Sequence, residues 1–127
     1  MSDDAMADVL RGDPRYPRAA YDFVREALSF TVGSLKEPRH VSGRELCEGI
    51  RDYARRQFGP LAKMVFATWN VRSTIDFGHL VFNLIAAGEM GKTADDSLSD
   101  FADVYRFDDA FPEDTGDVAV ESGDEDE

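Results

Sequence analysis

The sequence predicts a mainly α-helical domain of four helices closed by a small C-terminal β-hairpin and followed by a disordered acidic tail. Three observations carry that expectation. Apolar residues recur at three-and-four spacing over four separate stretches. Residues that start and stop helices stand between those stretches. Residues 108–127 hold ten acids and no base. At 127 residues, 43% hydrophobic and 31% charged, the chain has apolar material for one core, which excludes a second domain. The expected organisation is a flexible N-terminus over 1–15, one α-rich domain over 16–111 and a disordered tail over 112–127.

The first helix is expected from about Arg18 to Leu35, with Ala20, Val24, Ala27, Leu28, Thr31 and Leu35 on the inward face and Tyr21, Phe23 and Phe30 widening it. Gly33 loosens its end and Pro38 breaks the chain. The second helix starts at a capping box, Ser42 with Glu45 three residues on, in which each side chain satisfies a free backbone N–H. Leu46, Ile50, Tyr53, Ala54 and Phe58 form its buried stripe. Arg55 and Arg56 suit the negative end of its dipole, and Gly59 can take the left-handed conformation that stops it. Pro60 then opens a third helix, where its missing N–H costs nothing. That helix, "PLAKMVFATWN", carries Leu61, Val65, Thr68 and Trp69 on one side, with Ala62 and Phe66 beside them. The fourth is capped by Ser73 with Asp76 three residues on, runs through Ile75, Leu80, Val81, Leu84 and Ile85, and stops at Gly88. After the polar turn "TADDSLSD", Phe101, Tyr105 and Phe107 share one parity and Val104 the other, which predicts a short strand pair.

Helices joined by a short polar turn and followed by a hairpin make this fold winged-helix-like. "STIDFGHLVFNLIAAGEM" resembles the recognition helix and exit of bacterial winged-helix proteins, and the resemblance covers about residues 61–107. A four-helix bundle with an irregular C-terminal arm explains the same periodicities. From about Tyr21 to Phe111 the chain also resembles a family of small uncharacterised bacterial proteins, in the blocks "YDFVREAL", "SGRELCEGIRDYA", "FGPLAKMVF", "TIDFGHLVFNLI" and "DFADVYRFDDAF". That resemblance implies a compact bacterial domain and carries over no activity or site residue.

The net charge of −12 argues against nucleic acid until its distribution is read. Asp3, Asp4 and Asp8 at one end and the ten acids of 108–127 at the other leave residues 9–107 nearly neutral. "PEDTGDVAVESGDEDE" has only Val118, Ala119 and Val120 as apolar material, too little to offset the entropy of ordering. Arg44, Arg51 and Arg55 share one face of the second helix, Arg72 stands before the fourth, and His79 and Asn83 lie on the polar strip of the fourth, where Asn83 has the chemistry to read adenine. Against that, Asp76 repels phosphate, and Glu45, Glu48 and Asp52 are placed to pair with the arginines. A mostly buried fourth helix with ordinary surface ion pairs is preferred. In the alternative, the protein is a nucleic-acid-binding regulator whose acidic tail masks the basic face.

No catalytic constellation emerges. Cys47 adjoins the buried stripe of the second helix, as inert lone thiols do, and it neither forms an internal disulfide nor has cysteine neighbours for zinc. His40 and His79 have no orienting partner at a useful spacing, and no metal or cofactor motif occurs. "GEMGKT" lacks the G-x-x-x-x-G-K-[ST] spacing of a phosphate loop. Asp95, Asp96, Asp100 and Asp103 lack the order of an EF-hand loop. In "FADVYRFDDAFPED", Phe107 and Phe111 beside Asp108 and Asp109 are candidate anchors for a protein partner, Phe111 the better of them. No apolar run approaches the roughly 20 residues of a membrane span, and "MSDDAMADVLRGDPRYPR" is acidic where a secretory signal is basic. The expectation is a non-catalytic, cofactor-free cytoplasmic interaction or regulatory module.

Overall fold

The computed structural model describes residues 2–37, 39–91 and 97–112. In chain order its helices are α1 (Ser2–Gly12), α2 (Arg18–Gly33), α3 (Gly43–Phe58), α4 (Ala62–Thr68), α5 (Thr74–Ala86) and the single turn α6 (Phe107–Ala110). Tight 3-10 turns occupy Gly59–Leu61 and Leu98–Phe101. None of the helices is long and apolar enough to cross a membrane.

The punctuation residues act where their chemistry demands. Ser42 Oγ accepts from the Glu45 amide at 3.1 Å, and Glu45 accepts from the Ser42 amide at 3.0 Å, so α3 starts at a complete capping box. At its other end Gly59 sits at φ +53° and the chain turns directly into α4. Asp76 accepts from the amides of Arg72 and Ser73 at the start of α5, and Gly88, at φ +76°, lies just past its end.

α2 packs against both α3 and α5. The α2–α3 crossing is close because Gly49 has no side chain: a Cβ there would fall 1.8 Å from Thr31 Oγ1. Below the crossing, Phe66 of α4 is fully buried at the centre of an aromatic cluster. Its ring centroid lies 5.5 Å from Phe23, 5.4 Å from Phe77, 5.5 Å from Phe107 and 5.2 Å from Phe111.

The expected C-terminal β-hairpin does not form: no strand occurs among the described residues, and the winged-helix expectation falls with it. The alternating aromatics reach the core from an irregular arm. Phe101 wedges between α3 and α5 at two glycines, where a Cβ would lie 2.8 Å (Gly43) and 2.9 Å (Gly78) from it. Thr74 Oγ1 donates to the Phe101 carbonyl at 2.6 Å and accepts from the Val104 amide at 3.1 Å. Backbone groups that a ladder would pair are therefore taken by one buried hydroxyl. Asp103, at φ +51°, then bends the chain out of any extended run.

The N-terminal residues differ from the expected flexible extension as well. Ser2–Gly12 is helical, and Met6 and Val9 are buried, because their three-residue spacing gives even this acidic segment one apolar face. Of the acidic tail expected over 112–127 only Pro112 is described; residues 113–127 lie outside the described residues, as do Asp95 and Asp96 of the calcium reading.

Candidate interaction face

α4 has more apolar side chains than its length can bury. Ala62 and Phe66, four residues apart, point into the core and are fully covered. Leu61 and Met64 are left on the outside at 54% and 59% exposure, with Val65 and Trp69 half-buried beside them. Of the side expected to carry Leu61, Val65, Thr68 and Trp69, Leu61 and Thr68 are exposed and Val65 is half-buried, whereas the Trp69 ring packs on Phe23, Phe58 and Phe66; the flanking pair Ala62 and Phe66 is the inner face. Large apolar side chains side by side in water are an interaction surface more often than single exposed residues are.

Cations border this face. Lys63, Arg72 and Arg106 line a depression of about 300 Å³ beside α4, together with Asp103 and Asp108. Lys63 and Asp108 form an ion pair that holds the Asp108 carboxyl below its ordinary range, and Arg106 approaches the same carboxylate at 3.7 Å. At the other end of α4, Arg55, Gly59, Pro60, Phe111 and Pro112 line a second depression of about 280 Å³.

The residues singled out from the sequence divide. Phe107 and Phe111 are 7% and 3% exposed and their ring centroids are 5.2 Å apart, both rings tilted against Phe66. They complete the molecule's own core, which corrects their reading as external anchors. Asp108 is on the surface but paired with Lys63, and Asp109 is exposed. Arg51 pairs with Asp52 at 3.2 Å and lies over the Tyr105 ring, and Arg55 donates to the Ala110 carbonyl at 2.9 Å. Arg44 and Arg72 are exposed at the starts of different helices, and His79 is half-buried on α5.

Asn83 is turned inward. Its amide donates to Asp13 at 2.8 Å and to the Tyr21 hydroxyl at 3.1 Å, so the group expected to face a base edge is spent on holding the α1–α2 connection. Tyr16 Oη donates to Asp76 at 2.5 Å in the same region, and Arg15 pairs with Asp13 at 2.6 Å. Hydrogen bonding from Arg15, and then from Asn83, holds the Asp13 carboxyl well below the usual range against partial burial. Burial, then the Asp76 hydrogen bond, pushes the Tyr16 phenol up. This network joins residues up to 70 positions apart, which is why no local spacing announced it.

Cys47 is fully buried in α3, and burial pushes its thiol up to about 12, which leaves it un-ionised at neutral pH. Among the described residues no group of three or more His, Cys, Asp or Glu is arranged to hold a metal ion. An apolar cavity of about 200 Å³ lies between α2, α3 and α5, walled by Leu28, Val41, Leu46, Val81 and Phe82. No family model matches the chain, and neither a curated protein nor a solved structure matches it.

Proposed function

We propose that the protein is a non-catalytic cytoplasmic interaction module that docks a partner segment on the outer face of α4. The observation that carries this reading is the exposed pair Leu61, in the 3-10 turn that leads into α4, and Met64 of α4, whose other side is locked into the core by Ala62 and Phe66. The rim holds a small positive excess, Lys63, Arg72 and Arg106 against Asp103 and Asp108, which favours a segment that carries a few apolar side chains with Asp or Glu beside them. Apolar anchors supply most contact energy in such contacts, and complementary charges supply steering and register. The inert buried thiol of Cys47 suits a reducing compartment.

A photo-crosslinking residue placed at position 64 tests this, with the exposed Asp22 position on α2 as control. In cells, position 64 is expected to capture a protein through a peptide that combines apolar and acidic residues. Met64→Asp, carried with the crosslinker at the neighbouring position 61, is expected to reduce that capture at least tenfold. Equal capture at positions 64 and 22, or capture unaffected by Met64→Asp, overturns the proposal. Crosslinking predominantly to nucleic acid at position 64 overturns it in favour of the alternative regulator reading.

A further inference from the structure

We infer that the apolar cavity between α2, α3 and α5 is a binding site for a small uncharged apolar molecule, the size of an aromatic ring with a few further carbons. It shares no lining residue with the depressions beside α4, so the inference stands apart from the docking reading.

Incomplete burial is the first argument. Leu28 of α2 and Phe82 and Ile85 of α5 pack against the core, yet each is only half-buried, because they wall a space that no side chain fills. A molecule that fills the space takes their exposed apolar surface out of water.

Rigidity of the frame is the second. Arg25 of α2 donates to the Glu89 carboxylate just past the end of α5 at 2.9 Å, which ties the two helices together beside the cavity. Phe101 is wedged against Gly43 of α3 and Gly78 of α5. These contacts set the separation of the walls. The cavity is therefore preformed, and a ligand enters without first prising helices apart.

Size and charge are the third, and they choose the class of ligand. At about 200 Å³ the space is somewhat larger than the roughly 150 Å³ apolar cavity that stays dry in another protein and admits benzene. The side chains of Val41, Leu46 and Val81 offer water no hydrogen-bond partner. Where the cavity meets solvent, Val32, Arg39 and His40 are exposed. Arg39 is committed there: its terminal nitrogens donate to the two Glu45 carboxylate oxygens at 3.0 and 2.7 Å, and one of them also reaches the His40 carbonyl at 3.0 Å. A carboxylate carried into the cavity would lose its hydration and meet a guanidinium whose charge is already matched.

The test titrates the full chain, labelled with 13C at its methyl groups, with indole and separately with benzoate, which has the same number of non-hydrogen atoms and a charge. Indole is expected to give saturable shifts at Leu28, Val41, Leu46, Val81 and Ile85 and none at Leu61 and Met64. Benzoate is expected to bind at least about tenfold more weakly. Shifts that do not saturate, or that centre on Leu61 and Met64, overturn the inference, and so does benzoate binding as tight as that of indole. Ile85→Trp puts a larger ring into the space and is expected to abolish the indole shifts at the other four residues with little change in the urea midpoint. Indole binding retained by the folded variant overturns the inference. Phe82→Ala enlarges the cavity and is expected to move the preference from indole toward the bulkier naphthol by about tenfold; an unchanged preference overturns the assignment even where Ile85→Trp fails to fold.

Discussion

Asp13 shows how a surface-looking residue becomes structural. It stands in the link between α1 and α2 and receives Arg15 from one side and Asn83 of α5 from the other. Glu45 is in a similar position at the start of α3, where hydrogen bonds from Arg39 and then from the Ser42 amide hold its carboxyl near 2. Folding depresses both groups, so the unfolded chain binds more protons in acid than the folded one. Their stabilisation is complete above the ordinary carboxyl range and is lost as pH falls from about 4.5 toward 2. Asp13→Asn is expected to be less stable than the parent at neutral pH, with the gap closing as pH drops. Urea midpoints at about pH 7 and pH 3 check this; a gap that stays constant shows that Asp13 does not titrate with the folding equilibrium. The residue was visible in the sequence, but its partner was not, because an asparagine 70 positions away carries no local mark of what it will face.

At the scale of elements, the arm from Leu98 to Phe111 decides what kind of fold this is. Its alternating aromatics are compatible with a strand and with an irregular segment that buries every second or third side chain. Thr74 settles the choice: nearly fully buried, it satisfies the Phe101 carbonyl and the Val104 amide at once. Thr74→Val keeps the shape but leaves buried backbone groups without a partner, and is expected to cost about 1–3 kcal/mol. Thr74→Ser retains the hydroxyl and is expected to recover much of that loss. Denaturant unfolding measures both, and faster hydrogen exchange at the Val104 amide in Thr74→Val alone ties the loss to the arm. The helices themselves were legible from spacing and caps: α2, α3 and α5 lie where their apolar periodicity and, for α3 and α5, the Ser42 and Ser73 caps put them. α1 was missed because its one apolar face rests on only two buried side chains, Met6 and Val9, in an acidic segment.

For the whole molecule, Phe66 is the point where the parts meet. Its ring touches aromatic side chains from α2, α5 and the α6 arm, with Phe58 of α3 6.4 Å away. Phe66→Ala is expected to cost about 3–5 kcal/mol, a large share of the roughly 5–15 kcal/mol of a typical domain. Since the cluster joins all these elements, helix content by circular dichroism and Trp69 fluorescence should be lost at the same urea concentration in the parent chain. Separate transitions would show that the arm and α4 unfold independently of α2 and α3. Met64 marks the opposite case. It is more than half exposed and contributes little to the core, so Met64→Asp should leave the urea midpoint nearly unchanged while it blocks docking.

The sequence by itself determined the helical class, the placement of the main helices and the concentration of acid at the ends, because periodicity, caps and charge runs are local properties written within a few residues of one another. Only the tertiary structure decided that the C-terminal arm forms no hairpin, that Phe107 and Phe111 face inward, that Asn83 holds Asp13, and that Leu61 and Met64 face out. Each of those depends on which side of an element meets a neighbour distant in the chain. α4 makes the reason plain: apolar residues lie on more than one side of it, and only the fit of Phe66 among Phe23, Phe77, Phe107 and Phe111 selects the side that is buried and so the side left exposed.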